Sequence, residues 1–217
     1  MKNQNLKQRV LTSVFLLSLI FLFLNSNLIL VYSIIVFGVI AILEFVNITF
    51  KITKNKIFLF LSNLSFIIYI FIFSFLFIVF SNSSHLKLLT FIILLVCIAS
   101  DIGGYILGKT FKGPKLTKIS PNKTVTGALG SLLFSVIVMI FFNYFYLDKI
   151  HYQIIFVAVA TSIFSQIGDL FFSYLKRKAK LEDTGSILPG HGGVLDRIDS
   201  ILLGLPAGFY FIIILFF

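Results

Sequence analysis

The side chains in this sequence best suited to chemistry lie where an apolar chain holds charge at greatest cost. Asp101 and Asp169 each fall inside a long apolar run. A carboxylate there calls for a partner or a function. Asp101, Gly104, Tyr105 and Gly108 recur at i, i+3, i+4 and i+7, one face of a helix. Ser162, Ser165, Gln166, Asp169, Ser173 and Lys176 repeat that spacing on a second run. At 1.5 Å per residue both carboxylates sit about 10 Å from the same end of their runs. Two readings are open. The stripes are hydrogen-bonding glue between helices, with Asp101 paired to a nearby lysine, or they line a wet cavity whose carboxylates hold a hard cation. Mg2+ takes one or two carboxylates and completes its shell with water and substrate phosphates, which suits so sparse a set.

Two polar segments carry the rest. Gly108 to Gly127 reads GKTFKGPKLTKISPNKTVTG, with five lysines and no acid. Within it Pro121 sets a turn, Lys123 offers a point charge, and Ser120 and Thr124 offer hydroxyls, a set suited to a polyphosphate. The order is not that of a Walker loop. These lysines could equally enforce topology or touch anionic lipid. Ser173 to Ser200 reads SYLKRKAKLEDTGSILPGHGGVLDRIDS. It opens on a basic cluster, turns through Pro189-Gly190-His191-Gly192-Gly193, and ends on Asp196-Arg197-Ile198-Asp199. Asp196 and Asp199 share a face if this stretch is helical. Acids in a first helical turn can simply serve the macrodipole, which accounts for one Asp but not for the constellation. His191 is either a structural hydrogen bonder or a phosphate or general-acid contact. No second His or Cys stands near it to make a metal site, and His85 and His151 read as solvated.

The elements that must position these groups are membrane helices. The chain is 59% hydrophobic and 12% charged, with a mean hydropathy of +1.06, against about 25% charged in a soluble domain. Its apolar runs have the length that a helix needs to cross a bilayer, and the alternation of a barrel is absent. The expected fold is an all-α integral membrane protein of about seven transmembrane helices, at 10–24, 28–50, 57–80, 86–108, 126–147, 152–175 and 198–217. The run at 10–24 follows basic residues but lacks a small-residue cleavage site, so it is expected to be retained. All of the 18 lysines and arginines except Lys87 and Lys149 fall on one side of these spans. That asymmetry predicts a cytoplasmic N-terminus and two long cytoplasmic loops. It also explains the net charge of +10 without nucleic acid, since the charges form no single stripe. Residues 1–85 read as a transmembrane scaffold and 86–217 as the catalytic transmembrane domain. Glu44, near a cytoplasmic edge, is expected to snorkel. Cys97, the single cysteine, reads as a small buried hydrophobe.

The loop residues resemble the phosphatidate cytidylyltransferase family. Its signature runs S-x-x-K-R, K-D, then H-G-G-x-x-D-R-x-D. Ser173, Lys176, Arg177, Asp183, Pro189, His191, Gly192, Gly193, Asp196, Arg197 and Asp199 fall in register with it. An S-P-x-K-T element is matched by Ser120, Pro121, Lys123 and Thr124, and Q-x-G-D-L by Gln166, Gly168, Asp169 and Leu170. The resemblance covers about residues 98–205. It implies synthesis of CDP-diacylglycerol from CTP and phosphatidic acid in the cell's inner membrane, with the active site facing the cytoplasm. It implies Asp169, Asp196, Lys176, Arg177 and His191 as the catalytic set. Ser120, Lys123, Thr124, Ser173, Arg197 and Asp199 would bind the substrates or their phosphates. Mg2+ would sit on Asp169 and Asp196, with Asp101 a further candidate, and a second cation and a homodimer are left open. The segment Ser173 to Asp199 would then be lid and floor of a cavity walled by the faces around Asp101 and Asp169. Glu182 stands where the family usually has Lys, so Lys178 or Lys180 would take over that contact. Thr126 stands where Glu is frequent. The alternatives are a CTP-dependent transferase or kinase acting on an isoprenoid or ether lipid, and a cation-coupled transporter, which the lack of paired broken helices disfavours.

Overall fold

The computed structural model describes residues 18, 22–23, 25–117, 120, 123–147, 152–187 and 192–216. Six helices run through them: α1 (Asn27–Ile52), α2 (Lys56–Phe80), α3 (Ser84–Phe111), α4 (Val125–Leu147), α5 (Gln153–Lys178) and α6 (Leu195–Phe216). All six are long and apolar enough to cross a membrane. In hydrocarbon a backbone must satisfy its own polar groups, and a helix does so within one segment. Among the described residues no strand forms, and the one extended pairing is a bridge between Lys115 and Thr124. Six of the expected spans are thus present, with ends moved by up to three residues. The seventh, 10–24, lies almost wholly outside the described residues.

Polar residues at the run boundaries start the helices. The Ser26 hydroxyl accepts from Ile29 N before α1, and the Asn55 side chain accepts from Ile57 N and Phe58 N before α2. Each satisfies amides that a helix start leaves unbonded. The Thr124 hydroxyl does the same for α4, accepting from Gly127 N at 3.1 Å.

The chain divides into two compact units, one of residues 1–83 with 175–198, the other of 84–174 with 199–217. In the first, α1 packs on α2 through Phe45 and Phe66, whose rings stack at 3.9 Å. In the second, α3 and α4 lie backbone to backbone along a glycine seam. A Cβ on Gly103 would stand 2.5 Å from the Gly130 carbonyl oxygen, and one on Gly127 would stand 2.8 Å from that of Gly104. Small residues allow this approach, the usual basis of close helix contacts in lipid. Behind the seam Ser100, Ser135, Thr161, Ser162 and Ser165 are fully buried, and the Ser100 and Ser162 hydroxyls bond at 2.8 Å.

Candidate active site

A cavity of about 360 Å³ opens in the second unit. Helix α3 lines it with Asp101 and Tyr105, and α5 with Gln166, Asp169 and Ser173. The segment between α3 and α4 adds Ser120, Lys123 and Thr124. That segment is held as a narrow return. Leu116 N donates to Lys123 O at 2.8 Å, and Val125 N to Pro114 O at 2.9 Å. Gly113 N donates to the Thr126 hydroxyl at 3.2 Å. This return, and the seam that brings α4 onto α3, deliver Lys123 to the acids.

Three charged side chains meet in this cavity. Lys123 Nζ lies 2.5 Å from Asp169 Oδ2. The Ser173 hydroxyl donates to the other oxygen, Asp169 Oδ1, at 3.3 Å. Asp101 Oδ2 accepts from the Ser200 hydroxyl at 2.7 Å. The Gln166 amide is steered by bonds to Ala128 O and the Ser162 hydroxyl. Among the described lining residues the charged groups are therefore two carboxylates and one ammonium. Both acids line the cavity, and each also bonds within the protein, Asp169 to Lys123 and Asp101 to Ser200 of α6. No group of three His, Cys, Asp or Glu gathers among the described residues, so a cation here would rest on two carboxylates and on ligands from outside the chain. That donor set fits Mg2+.

A second polar cluster belongs to the first unit. Helix α5 ends where Lys180 takes a left-handed φ of 57° and Leu181 N closes back on Lys176 O at 2.9 Å, a common helix stop. Lys176 is thereby fixed in the last turn, and its Nζ bonds Asp196 Oδ1 at 2.6 Å. Asp196 Oδ2 accepts from Thr184 N at 2.8 Å and Gly193 N at 3.0 Å, and lies 3.0 Å from the Thr184 hydroxyl oxygen. Gly192 makes this turn with φ +81°. Both oxygens of Asp196 are thus engaged within the chain.

The remaining expected residues divide. Arg177 and Arg197 are exposed, while Asp199 is buried and its Oδ1 accepts from Ser200 N. Thr124 lines the cavity, yet its hydroxyl already caps α4 and bonds that of Thr126. Glu182 is exposed. His191, Pro189 and Pro121 lie outside the described residues. Three contributors were not foreseen: Glu44, Thr184 and Ser200. Glu44 does not snorkel. It is 3% exposed and its carboxylate accepts from Val194 N, Leu195 N and the Thr184 hydroxyl. The rule that flagged Asp101, an acid in an apolar run, applies to Glu44 too. Its place near the run's end offered a cheaper explanation.

A model of the cytidylyltransferase family matches residues 2–216. Over 131 residues the chain is 44% identical to the phosphatidate cytidylyltransferase of Rickettsia felis, covering 55% of this chain and 57% of that protein. Over 123 residues it is 42% identical to the phosphatidate cytidylyltransferase of Helicobacter pylori, covering 55% and 46%. For that of Synechocystis sp. the identity is 41% over 135 residues, covering 59% and 44%. These alignments span about half the length of each relative. The chain belongs to the cytidylyltransferase family.

Proposed function

We propose that the protein transfers the cytidylyl group of CTP to phosphatidate, giving CDP-diacylglycerol and diphosphate. One observation carries this reading: a chain of the cytidylyltransferase family, similar to phosphatidate cytidylyltransferases, holds Asp101, Asp169 and Lys123 around one cavity between membrane-length helices. An oxygen of the phosphatidate phosphate forms the new bond to the α-phosphorus. The α–β bridging bond breaks, and diphosphate leaves. That phosphate is an anion at neutral pH, so the step needs positioning and charge neutralisation more than a base. Lys123 and Ser120 are assigned to substrate phosphates. Asp169 and Asp101 would hold Mg2+, which when bound neutralises phosphate oxygens. Asp196, whose two oxygens are both bonded within the first unit, is assigned instead to orienting Lys176, whose ammonium suits a phosphate. The basic segments support a location for these groups on the cytoplasmic face of the inner membrane, where CTP is available.

The test is direct. Protein purified in detergent, given labelled CTP, phosphatidic acid and Mg2+, should yield labelled CDP-diacylglycerol and release diphosphate, and EDTA should stop it. Product from a polyprenol but not from phosphatidate would overturn the lipid assignment. No cytidylyl transfer to any lipid would overturn the reaction.

A further inference from the structure

The first 85 residues read as scaffold, yet one of them enters the cluster around Asp196. Helix α6 starts at Leu195, and the residue before it is Val194, whose side chain has no oxygen to cap the helix. A helix start leaves its first amides unsatisfied. Glu44 of α1 supplies what Val194 lacks. Its Oε1 accepts from Val194 N at 3.0 Å, and its Oε2 from Leu195 N at 2.8 Å. Burying a carboxylate costs several kcal/mol unless donors surround it, and here two backbone amides, a hydroxyl and the positive end of α6 do so. The surroundings are built to this side chain. A Cβ on Gly193 would stand 2.5 Å from Glu44 Oε2, and one on Gly185 would stand 2.5 Å from Oε1.

Thr184 connects this carboxylate to Asp196. Its hydroxyl lies 2.8 Å from Glu44 Oε2 and 3.0 Å from Asp196 Oδ2. Its own amide donates to Asp196 Oδ2, and Asp196 Oδ1 in turn receives Lys176. Glu44 therefore fixes both the backbone on which Asp196 rides and a hydroxyl that Asp196 contacts. We propose that Glu44 is a positioning residue for the reaction: acting through Thr184 and the amides of Val194 and Leu195, it sets the orientation of Asp196 and Lys176. This rests on the cytidylyl-transfer reading.

Glu44→Gln tests it. The amide keeps the shape but offers one acceptor oxygen and places an NH2 against a donor. A misplacement on the order of 1 Å near reacting groups can lower turnover about 100-fold, so kcat should fall by one to two orders of magnitude, with KM for CTP changing by less than about threefold if the loss is one of orientation. Thr184→Val should reproduce the loss, Thr184→Ser should recover most of it, and Glu44→Gln combined with Thr184→Val should lose little more than either alone. Turnover of Glu44→Gln within about twofold of wild type, or full additivity with Thr184→Val, would overturn the proposal. Hydrogen exchange gives a readout independent of activity. The amides of Val194 and Leu195 should lose protection in Glu44→Gln, while those in the middle of α3 keep it. Unchanged protection would sink the proposal even if activity fell. A wild-type protein with no transferase activity would defeat the functional reading and would itself overturn a role for Glu44 in this reaction.

Discussion

At the scale of single residues, the cavity separates groups that hold charge from groups that hold shape. Asp169 receives an ammonium on one oxygen and a hydroxyl on the other. Asparagine there would leave Lys123 without its counter-charge and would remove one of two candidate cation ligands. Removing a preorganised charged partner in a site of this kind costs about 100- to 1,000-fold in turnover. Asp169→Asn and Asp196→Asn should each abolish measurable cytidylyl transfer, and near-normal rates in both would refute their assignment. Glu182 is the contrasting case. It is exposed, and by the resemblance to the family signature it stands where Lys is usual. Glu182→Lys should fold normally, with stability changed by less than about 0.5 kcal/mol, and should match or exceed the wild-type rate at low CTP. A large loss would show that this Glu has a role of its own. Asp101, Asp169 and Lys123 were legible beforehand because charge in or beside an apolar run has few cheap explanations. Glu44 was not, because its partners are backbone amides about 150 residues further on, and an amide has no sequence signature. Ser200, the partner of Asp101, was hidden for a similar reason, since one hydroxyl among many carries no pattern.

At the scale of elements, the site depends on how closely α3 meets α4. The glycine seam places the Lys123 segment beside the acids, so a methyl group in the seam should act on stability and on activity together. An alanine Cβ at Gly103 would stand 2.5 Å from a backbone oxygen and 2.7 Å from the side chain of Phe134. Backbone cannot yield as a side-chain tip can, and overpacking of this kind costs about 1–3 kcal/mol. At Gly38 the same methyl would meet mainly the Ile70 side chain, at 3.1 Å, which a small rotamer adjustment relieves. Melting curves in detergent should therefore show a clear drop for Gly103→Ala and a much smaller one for Gly38→Ala. Equal effects would mean that the seam is not a tight contact. The helices themselves were readable from hydropathy, but their ends less so. Hydropathy marks the apolar stretch rather than the last hydrogen bond, which is why α6 begins at Leu195 and not at 198: the polar Asp196-Arg197 pair is helical, held by Glu44 and by its own carboxylate. The glycine periodicity around Asp101 was visible too, although which helix would press against it was not.

At the scale of the whole molecule, charge asymmetry and span count together make one prediction. Asn82 follows α2 and Ser186 follows α5, so three spans, α3, α4 and α5, separate them along the chain. An odd number of crossings puts the two positions on opposite faces. The distribution of lysine and arginine predicts Ser186 on the cytoplasmic side and Asn82 on the outer one. Cys97 is the single cysteine and is fully buried, so the wild-type chain serves as a nearly silent background for thiol labelling. Both Asn82 and Ser186 are exposed, which makes them suitable reporters. In intact spheroplasts a membrane-impermeant maleimide should label Asn82→Cys and leave Ser186→Cys unmodified until the membrane is opened. The opposite pattern would invert the topology and place the basic segments, with Lys123 and Lys176, on the face where CTP is absent. Labelling of both from one side would mean that one of the three intervening helices does not cross the bilayer. Either result would remove the physical basis for a nucleotide site at that depth, because a soluble nucleotide and an anchored lipid can react only where a cavity opens to the compartment that supplies the nucleotide.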